Sequence, residues 1–312
     1  MNIDPMQHQI TNTILMIRPL HFGFNPETAV NNSFQQDGKD SNAHNISALA
    51  QEEFDMMVEK LRKREVIVEV VDDTGNPLKT DAVFPNNWVT FHESDEVFTF
   101  PMFSPNRRQE VRMDLIQHLM EKYTIKKIHQ FHQLAEEGIF LEGTGSMILD
   151  RTNRLVYACL SDRTHISLLH KFCEIAKFTP VVFKASNEEG IPIYHTNVMM
   201  ALGLDFAVIC LECIQENDRP KVINYLKESK KYIVDISMDQ MSQFAGNMLQ
   251  VKMKNGFPLL VMSQSAYDSL NPEQLLILKS KTEILSVPIP TIEYYGGGSV
   301  RCMMAEIFLP QG

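Results

Sequence analysis

A chain of 312 residues is long enough for one large hydrophobic core or two smaller ones. Its composition, 44% apolar and 22% charged, is that of an ordinary globular protein. A formal net charge of −10 and a pI near 5.5 weigh against a nucleic-acid surface or a patch for anionic membranes.

The chain opens on "MNIDPMQHQITNT", which has neither the basic nor the apolar stretch of a secretory leader, so no signal peptide is expected. No apolar run reaches the roughly 18 residues of a membrane span, and no membrane partner is expected. "NTILMIRP" reads as a strand. After a loop rich in Asn, Gln and Ser (Asn31 to Asn45), "SALAQEEFDMMVEKLRKR" reads as a helix with Ser47 as N-cap, and "EVIVEVVDD" as a strand. "AVFPNNWVTFH" and "EVFTFPMF" make a strand pair, followed by the helix "NRRQEVRMDLIQHLMEKY" and the strand "KKIHQFHQL". "GIFLEGTGSMILDRTNRLVYACLS" reads as two strands around the turn "DRTNR", then helix "RTHISLLHKFCEIAKF" and strand "TPVVFKAS". The same order returns in "IPIYHTNVMMALGLDFAVICLECI", helix "DRPKVINYLKESKK" and strand "YIVDIS". It returns again in "MSQFAGNMLQVKMKNGFPLLVMS", whose "KNG" marks a hairpin, with helix "NPEQLLILKSK" and strand "TEILSVPI". "GGGSVRCMMAEIFL" then supplies one more strand, expected to pair with the first strand of the chain.

The unit is therefore strand, strand, helix, strand, repeated about five times at a period of roughly 50 to 56 residues. A unit of this kind cannot bury its sheet alone, so the copies are expected to pack around a common axis in a single domain spanning 1–312. Residues at one phase of each unit should then converge. The first strand of each hairpin carries a polar group near its end: Asn86 and Asn87 in "FPNNW", Glu142 in "FLEGTGS", His195 in "IYHTN", Asn247 in "FAGNM" and Cys302 in "SVRCM". The steps between them are about 52 to 56 residues, one repeat each.

These motifs resemble a known superfamily. "EGTGS", "YHTNVMM" and "GGGSVRCM" are similar to the carboxylate, histidine and cysteine motifs of the guanidino-group modifying enzymes, which include arginine deiminases, amidinotransferases and dimethylarginine hydrolases. "RPLHFGFNPETAVNNSFQ", "FPNNWVTFH", "FPMFSPNRRQEVR", "QFAGNML" and "GGGSVRCMMAEIF" resemble one branch, the citrulline utilization hydrolase type, often labelled amidinotransferase-related. The resemblance runs from about Met16 to Leu309. It implies an α/β fold, the five-bladed pentein propeller of ββαβ-type repeats around a pseudo-five-fold axis. It also implies cysteine-dependent hydrolysis of a ureido or guanidino amino acid, with citrulline cleaved to ornithine, ammonia and carbon dioxide as the leading case. An amidinotransferase or an arginine-deiminase-like enzyme on the same chemistry is the alternative. A non-catalytic pentein, such as the ribosome anti-association type, is a remoter one.

A ureido or guanidino carbon is a poor electrophile, because its nitrogens donate into it. Attack requires a strong nucleophile, charge stabilisation and proton delivery to the leaving amine. Cys302 is the expected nucleophile, activated by a neighbouring cation for which Arg301 and His195 are candidates. His195 is the expected general acid and base, and Glu142 the carboxylate that orients the substrate. Gly296 to Gly298 would let backbone approach a ligand closely. The resemblance also shows a departure: deiminases typically have a His-x-Asp and an Arg-Asp pair that clamp a guanidinium, where this chain has His195-Thr196-Asn197 and Asn86-Asn87. Amides both donate and accept, so this substitution points to a neutral ureido group over a guanidinium. Arg107, Arg108, Arg112 and Arg18 are candidates to hold the substrate carboxylate, with Phe22, Asn25 and Trp88 shaping the pocket and Asn247 contacting substrate.

Five cysteines at irregular spacing (Cys159, Cys173, Cys210, Cys213, Cys302) fit reduced thiols and a cytoplasmic home. His129 and His132 sit at an odd spacing on an expected strand and face opposite sides, as do Cys210 and Cys213. No metal site and no cofactor is expected. "EGTGS" lacks the lysine of a phosphate-binding loop and is not expected to open a helix. The partner is a small ureido or guanidino amino acid, and self-association into a homo-oligomer is compatible with the reading.

Overall fold

The structure, a computed structural model, describes residues 9–38 and 43–312. The start of the leader reading and residues 39–42 of the expected Asn31 to Asn45 loop lie outside the described residues.

Fifteen strands, β1 to β15 in chain order, form five three-stranded sheets among the described residues. Four sheets share one plan: an antiparallel pair, then a helical crossover to a third strand that runs parallel to the second. Parallel neighbours require such a crossover, whereas antiparallel ones need only a turn. The sheets are β3 (Val89–Phe91), β4 (Glu96–Thr99) and β5 (Lys127–Gln130); β6 (Ile148–Asp150), β7 (Leu155–Cys159) and β8 (Thr179–Phe183); β9 (Met200–Leu202), β10 (Phe206–Ile209) and β11 (Tyr232–Asp235); and β12 (Leu249–Lys252), β13 (Pro258–Ser263) and β14 (Glu283–Val287). The fifth sheet completes itself from both ends of the chain. β1 (Thr13–Arg18) pairs parallel with β2 (Ile67–Asp72) and antiparallel with β15 (Ala305–Glu306), with Leu15 opposite Ala305. The expected pairing of the last strand with the first is therefore present.

The chain divides into two compact units. One comprises Thr144–Pro288 with residues 9–11 and Ser299–Arg301, and holds the three sheets from β6 to β14. Its crossover helices are Ile166–Ala176, Arg219–Glu228 and Pro272–Lys281; the last starts at a capping box, in which Asn271 and Gln274 exchange side-chain and backbone hydrogen bonds. The other unit comprises Asn12–Gly143, Ile289–Gly298 and Cys302–Gly312. Its apolar core joins Leu15 and Ile17 of β1, Val89 and Phe91 of β3, and Ala305 and Ile307 near the C-terminus around Trp88.

Three local expectations need correction. The helix expected from Ser47 spans Ala43–Lys63, so Ser47 lies inside it, and its hydroxyl instead pairs with the backbone N–H and C=O of Phe22. The strand expected through "AVFPNNW" is only Val89–Phe91, because Pro85, which fixes its own φ and lacks an N–H, opens a short helical turn over Pro85–Asn87. The helix expected over "NRRQEVRMDLIQHLMEKY" is two pieces, Pro105–Glu110 and Met113–Leu119, broken at extended Val111. The break turns Arg107 inward on buried Glu110 while Arg112 pairs outward with exposed Asp114.

Candidate active site

The polar residues singled out in each repeat share one structural position, but it is not the strand. Each lies in the turn that precedes a strand: the first strand of a hairpin for Asn86, Asn87, Glu142, His195 and Asn247, and β15 for Cys302. Asn86 and Asn87 are in the turn Pro85–Asn87 before β3. Glu142 immediately precedes a helical turn, Gly143–Ser146, before β6, so "EGTGS" does open a short helix. His195 caps the turn Thr196–Met199 before β9. Asn247 and Cys302 occupy turns before β12 and β15. Short turns there can be packed tightly because their residues are small or polar. A Cβ on Gly143, whose φ is +45°, would lie 2.3 Å from the Asn86 carbonyl oxygen.

In the unit that contains Cys302, the cysteine is buried at 6% exposure. A Cβ on Gly298 would lie 3.4 Å from the Cys302 Cβ and 2.9 Å from the Phe84 ring. One on Gly296 would meet the rings of Phe84 at 2.8 Å and Phe22 at 3.1 Å. Gly297, at φ +60°, packs on Asn32 and Gln35. The glycine triplet thus packs on two aromatic rings and on a loop of the protein itself.

Glu142 is fully buried, and its Oε1 accepts the backbone N–H of Phe103 at 2.9 Å. Arg107 makes a two-pronged pair with Glu110 at 2.8 Å for both contacts, donates to Asn87 Oδ1 at 3.2 Å, and lies 3.7 Å from Asp81. Asp81 in turn accepts from Asn25 Nδ2 at 2.6 Å, while Asn106 donates to Asn25 Oδ1 at 2.7 Å. Three buried carboxylates, Asp81, Glu110 and Glu142, therefore share one guanidinium. Burial acts against the Arg107 charge, but Glu110, Asp81 and Glu142 outweigh it and raise its pKa. Burial pushes the Glu110 carboxyl up to about 7; Arg107 opposes this, and Asp81 and Glu142 add to it. Asn87 Nδ2 is buried without a hydrogen-bond partner among the described residues.

The other expected residues in this unit separate clearly. Trp88, 1% exposed, belongs to the apolar core. Arg112 is paired with Asp114 and Arg18 with Asp55. Arg108 is the least committed arginine of its segment: it is partly exposed, donates to the Met102 carbonyl at 3.2 Å, and reaches Glu136 only at 3.5 Å. Asp81 and Glu110 were missed in the sequence, because neither lies at the repeat phase.

In the unit that spans Thr144–Pro288, His195 is 3% exposed and its ring sits 4.8 Å from that of Tyr194. Arg163, also missed, is buried with its guanidinium 4.8 Å from the Tyr194 ring centre. Thr196, next to His195, donates to the Ser146 carbonyl at 2.6 Å. Asn247 Nδ2 donates to the Asn197 carbonyl at 3.0 Å, and its Oδ1 accepts the Arg301 N–H at 3.1 Å. Asn197 and Arg301 are both buried.

Histidines and cysteines elsewhere are explained by packing. His129 stacks on Phe98 at 4.2 Å. His132 lies beyond the end of β5, 2.6 Å from the Thr99 hydroxyl, where burial lowers its pKa. Cys210 and Cys213 lie past the end of β10 rather than on it, with the Cys213 thiol donating to the Cys210 carbonyl at 3.1 Å. Among the described residues no group of three or more His, Cys, Asp or Glu is arranged to hold a metal ion, and no helix is long and apolar enough to cross a membrane.

Solved structures share this fold across nearly the whole chain. The N-terminal domain of ArgZ, an arginine dihydrolase of the cyanobacterial ornithine–ammonia cycle, in a substrate-bound cysteine-to-serine variant, superposes with a TM-score of 0.71 at 15% identity, covering 96% of this chain and 98% of that one. AgrE, in a binary complex with L-arginine, gives 0.70 at 17% identity over 96% of this chain and 40% of that one. A dimethylarginine dimethylaminohydrolase carrying an S-methyl-L-thiocitrulline adduct gives 0.64 at 13% identity over 95% and 99%. This chain spans about 39% of full-length ArgZ. Likeness at these identities shows the fold alone. No curated protein matches the chain by sequence. The model of the family described as N,N dimethylarginine dimethylhydrolase, eukaryotic, matches residues 18–309. With the fold it shares, that match shows that the chain belongs to the N,N dimethylarginine dimethylhydrolase family, within the pentein superfamily of guanidino-modifying enzymes.

Proposed function

We propose that this protein is a cysteine-dependent hydrolase of a guanidino amino acid of the arginine type. The observation that carries the reading is a cluster of buried carboxylates in the unit that holds Cys302: Asp81, Glu110 and Glu142 all lie close enough to Arg107 to act on its charge. A buried carboxylate cluster attracts a cationic guanidinium, where it gains nothing from the charge of a neutral group. Counting amides at the repeat positions favoured a ureido substrate; the two carboxylates found off those positions reverse the balance.

In this mechanism Glu142 accepts N–H bonds from the guanidinium and fixes its plane, and Arg108 holds the substrate carboxylate. The Cys302 thiolate attacks the guanidinium carbon. His195 protonates one departing amine, leaving an S-alkylthiouronium on Cys302, then takes a proton from water as it attacks. Collapse frees the thiol and a ureido product. Phe84 packs against Gly296 and Gly298, and Phe22 against Gly296. We also propose that the five three-stranded sheets are the blades of a pentein propeller.

A second reading, hydrolysis of citrulline to ornithine, ammonia and carbon dioxide, is favoured by the buried Asn87 amide donor, which a ureido carbonyl would accept. Mass spectrometry of the protein incubated with L-arginine, a dimethylarginine or L-citrulline tests both. An adduct on Cys302 with the mass of a thiouronium supports the guanidino reading, and a carbamoyl adduct the ureido one. Turnover that survives Cys302→Ala overturns both.

A further inference from the structure

The Asn247 side chain has its donor and its acceptor on two different backbone segments, and those segments lead to two residues of the proposed chemistry. Its Nδ2 holds the carbonyl of Asn197, two residues after His195. Its Oδ1 holds the N–H of Arg301, the residue before Cys302. Asn247 is 2% exposed, and its own position is locked. Its N–H donates to the Phe244 carbonyl at 2.8 Å, in a turn that Phe244 enters at φ +63°. At Gly246 a Cβ would lie 2.3 Å from the Val198 carbonyl oxygen, so the turn rests directly on the backbone of the segment that His195 caps.

We infer that Asn247 is a positioning residue, which sets the backbone of Arg301 against the backbone of the His195 turn, and not the substrate contact that its repeat position suggested. The inference rests on the assignment of Cys302 and His195 as nucleophile and acid–base. Of the small side chains only an amide serves both ends: a carboxylate keeps the acceptor for Arg301 but repels the Asn197 carbonyl, and an alkyl group serves neither. Because reacting groups must be aligned to a fraction of an ångström, a displaced Arg301 would slow the reaction while leaving substrate recognition nearly intact.

The test compares wild type with Asn247→Asp and Asn247→Ala. It reads kcat and KM per titrated site, the pH dependence of kcat, and the rate at which iodoacetamide alkylates Cys302. The expected result is a fall in kcat of about 100-fold, with KM changed less than about threefold and a displaced pH profile. An unchanged kcat per titrated site, or a loss carried wholly in KM, overturns the inference. If wild type turns over no guanidino or ureido amino acid, the proposed function fails. The alkylation rate then decides the positioning role alone: a change of about tenfold or more at Cys302 but not at Cys173 sustains it, and no change overturns it. If neither variant folds, hydrogen exchange on wild type decides. The Arg301 amide should be as protected as the strand amides of β12, and fast exchange there overturns the inference.

Discussion

Glu110 offers a direct way to tell a cationic substrate from a neutral one. In the free protein burial holds its carboxyl at about 7, so at pH 6 it carries its proton about nine-tenths of the time. A guanidinium bound in the same cluster is a neighbouring cation, which would draw that carboxyl down. Binding at pH 6 then expels up to about one proton, and the Kd rises by as much as about tenfold from pH 8 to pH 6, or about 1.4 kcal/mol. The sign follows from linkage: the free state holds more protons than the complex, so affinity falls as protons become abundant. L-Citrulline carries no side-chain charge and should show neither effect. The assay is titration calorimetry on a Cys302→Ser variant, in two buffers of different ionisation enthalpy at pH 6. A Glu110→Gln variant should lose the buffer dependence. Arginine binding that is independent of buffer and of pH between 6 and 8 would refute the role given to the carboxylate cluster.

Three further outcomes follow from the geometry. Arg108→Ala should raise KM by about tenfold or more with a smaller change in kcat, because a partly exposed guanidinium with weak protein contacts is free to grip a carboxylate; an unchanged KM excludes it. Gly246→Ala should destabilise the fold by about 1–3 kcal/mol, since its Cβ would meet backbone at 2.3 Å, and a thermal melt matching wild type contradicts that contact. Lys231 is buried 3.7 Å from Asp150 and donates to the carbonyls of Gly203 and Leu204. Burial lowers its pKa from 10.5, against the pull of Asp150. The unfolded chain thus binds more protons in that window, and stability rises with pH toward 10.5. Asp150→Ala should cost about 3–5 kcal/mol in urea melts near pH 7, with the deficit shrinking as the pH is raised; a deficit independent of pH argues that the amine is not the group exposed to the loss.

Much of the architecture was legible because the signals are local. Hydrophobic alternation, turn residues and a crossover helix recur in register, and an apolar run such as Thr13–Arg18 has few ways to be buried other than as a strand. The repeat phase also found Asn86, Glu142, His195, Asn247 and Cys302 at equivalent turns. It misjudged the element that carries them, because a short helical turn before a strand leaves no periodicity of its own. The glycine triplet showed conformational freedom in the sequence, and the rings of Phe84 and Phe22 that pack on it became visible only in the fold.

The order of elements, the five repeats and the pairing of the last strand with the first are thus properties of the sequence alone, set by which residues must leave water and at what period. Which groups share a dielectric environment is decided only in three dimensions. Asp81 and Glu110 have no special spacing in the chain, yet burial beside Arg107 and Glu142 gives them their charge balance. Asn247 looks like Asn87 in the sequence, yet its amide is spent on backbone while part of the Asn87 amide is not. Hydrogen bonds and desolvation depend on distances between segments far apart in the chain, and those distances exist only once the chain has folded.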